Sequence, residues 1–142
     1  AAAEGKPVGE VEKEAVEAFI RWAGDIRDWT IVGQNPSFDR DFLIEACDRA
    51  DMQFPFAHRT IDTHSLAYMH MVKRGLTPRF DEKKKHTPLS LDGVLAYCGI
   101  PGEPKPHNAL TGALCHAEVA YRLLYDRPLV KEFAGYPVSW KS

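Results

Sequence analysis

Val32-Gly33-Gln34-Asn35-Pro36-Ser37-Phe38-Asp39-Arg40-Asp41-Phe42-Leu43 is the stretch whose reading decides the fold. The run that leads into it, Trp29-Thr30-Ile31-Val32-Gly33, is aromatic and β-branched and predicts a buried strand. A turn follows. Phe38, Phe42, Leu43, Ala46 and Cys47 then recur at helical spacing. Ser37 is the expected N-cap, with Asp39 and Asp41 in the first turn, where negative charge suits the helix dipole. A strand passing through a turn into a helix sets Asp39 at the carboxyl end of that strand, where α/β sheets gather ligands. Taken alone, Asp39 reads first as an ordinary acid stabilising a helix start.

On the amino side, Ala1–Gly9 carries no strand or helix signal of its own. From Val8 to Ala23, Val11, Ala15, Ala18, Phe19 and Trp22 recur every three or four residues, while Glu10, Glu12, Lys13, Glu14, Glu17 and Arg21 take the other face. That pattern predicts an amphipathic helix, ended by Gly24-Asp25. On the carboxyl side, Arg59-Thr60-Ile61 predicts a second strand, and a helix over His64–Arg74 carries Leu66, Ala67, Met69 and Val72. Asp62-Thr63 lies between them, and an Asp-Thr pair before a helix is ordinary capping chemistry.

Gly75–Pro88 is the least patterned stretch and holds Lys83-Lys84-Lys85-His86. With Arg74 and Arg79 this run could steer a phosphate backbone, although a solvated loop is its commoner role. Ser90 caps a short helix through Leu91, Val94, Leu95 and Cys98, stopped by Gly99 and Pro101. After the Pro-rich connector Pro101–Pro106, His107 opens the last helix, with Ala109, Ala113, Leu114, Ala117, Ala120, Tyr121 and Leu124 at helical spacing. A histidine at the mouth of a helix can take a proton near neutral pH, though singly it is more often a surface residue. Tyr97, Tyr121 and Tyr125 read as core or rim residues, and residues 126–142 as an irregular tail.

Strands alternating with helices give an α/β class. Two strands are too few to serve four or five helices, so the expectation is that strands hide in loops or that the domain's first strands lie outside this sequence. At 142 residues, 44% apolar and 27% charged, the whole chain suits one soluble domain. No run of about 20 apolar residues predicts a membrane span, and no signal-peptide pattern is visible. Cys47, Cys98 and Cys115 form no CxxC pair, which makes zinc or disulfide frameworks weak readings and buried thiols in a reducing cytoplasm the expected one. A net charge of −2 argues against a broad basic face gripping long nucleic acid, yet leaves room for an acidic cleft holding a few terminal nucleotides.

Three segments in this order resemble the DEDDh family of 3′→5′ exonucleases. Gln34-Asn35-Pro36-Ser37-Phe38-Asp39 is similar to the family's HNxxFD motif, with Gln34 in place of the common His. His107-Asn108-Ala109-Leu110-Thr111-Gly112-Ala113 is similar to HxAxxDA. Ile61-Asp62-Thr63 and Leu89-Ser90-Leu91 through Gly99-Ile100 match less specific segments between them, and the resemblance runs from about Val8 to Leu124. It implies a ribonuclease H-like fold lacking its first strands and two divalent metals, Mg²⁺ or Mn²⁺, held by four acidic side chains. Asp39 takes the role of metal ligand and catalytic residue, His107 that of general base, and Asn35 and Phe38 are implied substrate contacts. The implied partners are single-stranded DNA or RNA 3′ ends and a second chain supplying the missing strands.

The departures from the pattern are as informative. No Asp-x-Glu in a strand pattern precedes Asp39, and Gly112 stands where the last metal-binding Asp belongs. One of four carboxylates is matched, so little or no exonuclease activity is expected of this chain alone, and a non-catalytic nucleic-acid- or protein-binding remnant is the competing reading.

Overall fold

The computed structural model describes residues 5–103, 105–106 and 108–141. Among these the architecture is mixed α/β: five α-helices and one two-stranded parallel sheet. The chain divides into two compact units, one of residues up to Ile31 with Pro36–Thr60, the other of Val32–Asn35 with the chain from Ile61 onward.

The first unit is a pair of helices, α1 (Val8–Ala23) and α2 (Pro36–Arg49). The span of α1 is the one the spacing predicts, but the buried stripe is different. Val16 and Ala23 are buried and Ile20 partly so, whereas Trp22 is 71% exposed. The helix carries two adjacent apolar stripes, and Val16 and Ile20, four residues apart, are the ones that pack with Ala46, Cys47, Met52 and Phe54. The second stripe contributes Phe19, whose ring lies 5.4 Å from that of Phe56, which in turn is 5.1 Å from Trp29. Arg49 on α2 holds both carboxylate oxygens of Glu12 on α1, at 2.6 and 2.9 Å.

The start of α2 corrects the expected cap. Ser37 lies within the helix, because Pro36 occupies the first turn, where its fixed φ suits the helix and its missing N–H costs nothing. The turn is made one residue earlier by Asn35 at φ 51°, a left-handed conformation that asparagine tolerates. The expected strand over Trp29–Gly33 is also shorter. Thr30 satisfies its N–H and hydroxyl on Asp28 Oδ1, and the Trp29 carbonyl accepts from Ala57 N–H, which leaves Val32–Gly33 to pair as a strand.

The second unit contains β1 (Val32–Gly33), β2 (Ile61–Asp62), α3 (Thr63–Lys73), α4 (Leu91–Tyr97), α5 (Ala109–Tyr125) and a 3₁₀ turn at Lys131–Phe133. The strands are parallel, with Val32 opposite Ile61 and Gly33 opposite Asp62. Helix α5 packs against β1 and against α3 and α4. Leu95, Val94, Cys98, Ile100, Cys115, Val119 and Leu123 fill the space between them, with Leu89 and Phe133 closing it. All three cysteines are free and buried. Burial pushes the Cys98 thiol up to about 12, so it packs as a small apolar side chain.

The stripe that α5 buries is only partly the one expected. Ala120 is buried and Leu114, Ala117 and Tyr121 are half-buried, but Ala109, Ala113 and Leu124 are exposed, while Gly112, Cys115, Val119, Leu123 and the charged pair Glu118 and Arg122 are buried. The charges are tolerable because each is satisfied. Arg122 Nε donates to Glu118 Oε1 at 2.6 Å, and its terminal nitrogens donate to the carbonyls of Cys98, Pro137 and Phe133. Glu118 Oε2 accepts from the N–H groups of Leu129 and Val130. The segment after Pro128 is therefore tied to α5 and contains a helical turn, where the sequence pattern predicts none.

Removing one partner strands the other charge in a dry core. Arg122→Met is expected to lower unfolding free energy by about 3–5 kcal/mol, and Glu118→Gln/Arg122→Met together by clearly less. Urea unfolding followed by far-UV circular dichroism checks both.

Candidate functional site

The carboxyl ends of β1 and β2 lie side by side, since the strands are parallel and in register at Gly33 and Asp62. Each strand leaves that edge through a polar turn, and the second unit's share of the motif residues collects there. Asn35, an expected substrate contact, donates its backbone N–H to Asp62 Oδ1 at 3.1 Å. Asp62 Oδ1 also accepts from His64 N–H at 3.1 Å, and Oδ2 from Ser65 Oγ at 3.0 Å. Thr63, fully buried, donates its hydroxyl to the Gly33 carbonyl at 3.2 Å. Asp62 is thus the N-cap of α3 and the clasp between the two turns, with its oxygens occupied by the chain's own donors.

Gln34 has a different character. Its amide nitrogen donates to the Leu89 carbonyl at 3.0 Å, while its side-chain oxygen is buried with no hydrogen-bond partner among the described residues. Buried acceptors without a donor are rare, and each calls for an explanation such as a water or a ligand.

The third motif begins at His107, the expected general base, which lies outside the described residues. The next residue, Asn108, caps α5: its side chain accepts from Thr111 N–H at 3.0 Å, and Thr111 Oγ1 accepts from Asn108 N–H at 3.1 Å. Gly112 is buried one turn inside the helix, without a side chain to offer a ligand.

Asp39 and Phe38 belong to the first unit. Asp39 is exposed in the first turn of α2 and lines a groove of about 600 Å³ with Phe38, Phe42 and Leu43 of its own helix and Glu12 and Phe19 of α1. Phe38 is 60% exposed, its ring 4.8 Å from that of Phe42. Glu12 is committed to Arg49, whose hydrogen bond holds its carboxyl below the ordinary range.

Two hard cations need several carboxylate oxygens between them. Among the described residues no group of three or more His, Cys, Asp or Glu is placed to hold a metal ion. Asp62 is spent on capping and Gly112 offers nothing, so the described residues do not fit a two-metal centre. Comparison of the chain with protein-family models, curated proteins and solved structures found no match.

If Asp62 is a clasp, its loss should cost stability at both turns. Asp62→Ala is expected to destabilise the protein by about 1–2 kcal/mol and Asp62→Asn by less, since asparagine still caps. Thermal unfolding of the two variants decides it; two variants as stable as the parent would remove the clasp.

Proposed function

We propose that this chain is a 3′→5′ exonuclease-type domain, ribonuclease H-like in kind, which from its own residues hydrolyses nucleic-acid ends weakly or not at all. The observation that carries the reading is the arrangement of the three segments. Gln34-Asn35 leaves β1 and Asp62-Thr63 leaves β2 at one sheet edge, and Asn108 starts the helix that packs on β1. Ligands of open α/β sheets bind beyond the carboxyl ends of strands, and this order of segments supports the same use here. In this reading His107 is the general base, Asp39 the matched metal ligand, Asn35 and Phe38 the substrate contacts, and a single-stranded DNA or RNA 3′ end the partner.

Mg²⁺ or Mn²⁺ is the cofactor the reading names. One exposed carboxylate cannot hold a pair of such ions, each of which takes about six oxygens, so metal binding by this chain is weak and little hydrolysis follows. A specific observation favours the second reading, a non-catalytic binding remnant: Asp62 is used up as a cap and the buried position Gly112 has no carboxylate.

An end-labelled single-stranded oligonucleotide with Mn²⁺ separates the readings. This chain is expected to leave the label at full length. Gly112→Asp, placed in a polypeptide that includes any natural sequence preceding Ala1, is expected to shorten it from the 3′ end. Shortening by the present chain would overturn its inactivity. Retention of the oligonucleotide in a gel shift, with no shortening by either form, selects the binding remnant; neither binding nor shortening sinks the proposal.

A further inference from the structure

We infer that the cleft lined by Gln34, His64, Lys84, His86 and Ser90 in the second unit binds the phosphate group of a hydroxyl-bearing phosphate ester, such as a nucleotide. The inference stands apart from the exonuclease reading, since His64, Lys84 and His86 lie outside the segments that carry that reading and only Gln34 and Ser90 belong to them.

The cleft has a volume of about 470 Å³, within the range of small-molecule sites. Its wall is built by a loop that the chain holds in shape. Asp81 N–H donates to the His86 carbonyl at 2.9 Å, and Lys85 N–H to the Asp81 carbonyl at 2.8 Å. The Asp81 carboxylate accepts from the N–H groups of Lys83 and Lys84, both at 2.9 Å. The loop's nearby acid is thereby occupied by backbone donors. Lys85, at φ 58°, places its ammonium 3.5 Å from Glu82 and does not line the cleft. Lys84 does line it, and no carboxylate pairs with Lys84 among the described residues.

Lys84 and the imidazoles of His64 and His86 line the cleft, and among the described residues no Asp or Glu does, in a chain whose acidic residues outnumber its Lys and Arg by 20 to 18. A cleft of one sign raises the local concentration of the opposite charge. Ser90 Oγ accepts from Gly93 N–H, which leaves its proton for a ligand oxygen. The lysine, the histidines and this hydroxyl suit a phosphate.

Gln34 adds the second requirement. The buried Gln34 oxygen has no donor among the described residues; turned into the cleft it would meet one on a sugar hydroxyl, which a bare phosphate dianion lacks. This is why the structure points to an ester carrying hydroxyls.

NMR titration of the full chain with adenosine 5′-monophosphate and, separately, inorganic phosphate tests it. Saturable shifts are expected at Lys84–Ser90, His64 and the Gln34 side-chain amide, with the nucleotide binding more tightly than phosphate. Lys84→Ala is expected to weaken nucleotide binding about tenfold, the loss of one charge-assisted hydrogen bond. Lys85→Ala removes the same charge from the same loop and should leave affinity nearly unchanged. Both lysines are exposed, so both variants should fold. Equal weakening by the two variants, or no saturable shift, overturns the site; phosphate binding as tightly as the nucleotide overturns the role given to Gln34. A single-stranded oligonucleotide that saturates the same amides more tightly than the mononucleotide names a strand as the source of the phosphate, and weaker binding names the free ester.

Discussion

The Glu118–Arg122 pair is the interaction on which the second unit depends. Two charges with no exposed surface would be costly in an apolar core, and they are tolerated because every ligand around them is backbone. Arg122 reaches the carbonyl of Cys98 at the end of α4 and those of Phe133 and Pro137 in the tail, while Glu118 holds Leu129 and Val130. One turn of α5 thus ties together segments that also share one apolar core through Cys98, Val130 and Phe133. The tail is fastened further on. Trp140 donates to Asp126 Oδ1 at 2.6 Å and sits 4.3 Å from the ring of His70, whose Nδ1 is 2.7 Å from the Tyr97 hydroxyl. Burial lowers the pKa of His70, which favours the neutral ring in that packing.

The sheet edge shows how sparingly polar groups are used for structure and what is left over. Asp62 and Thr63 have their acceptors and hydroxyl committed to closing the two turns. What is left lies a few residues away: the Gln34 oxygen, the Lys84 ammonium and the imidazoles of His64 and His86 around one cleft. The chemistry available in the second unit is therefore recognition of an anion more than ligation of cations.

Much of the local structure was legible. The limits of α1, the Ser90 cap of α4 and the capping role of Asp62 follow from spacing and from side chains that can accept two residues on. The buried faces were harder. On α1 two apolar stripes run side by side, and only the partner helix selects between them. On α5 the buried stripe contains a glutamate and an arginine, so hydrophobic spacing finds Ala120 but misses the rest; Glu118 and Arg122, four apart beside Val119 and Leu123, were the available signal. The strands were overread because Trp29 and Thr30 have strand-forming side chains whose backbone and hydroxyl groups are claimed by Asp28 and Ala57. For the site, the motif residues pointed to cation chemistry; the Lys83-Lys84-Lys85-His86 run was legible as a phosphate-steering candidate, but that Lys84 has no carboxylate partner among the described residues shows only once Asp81 and Glu82 are seen to be engaged.

On the function we propose, the sheet edge is exonuclease-type in kind and the chain assembles no metal pair there. Titration with Mn²⁺, read as paramagnetic broadening of amide resonances, tests it most directly. The account predicts weak, unsaturated broadening with no focus at Asp39. Tight, saturable broadening centred on Asp39 would contradict it, because a metal centre would then form around a single exposed carboxylate.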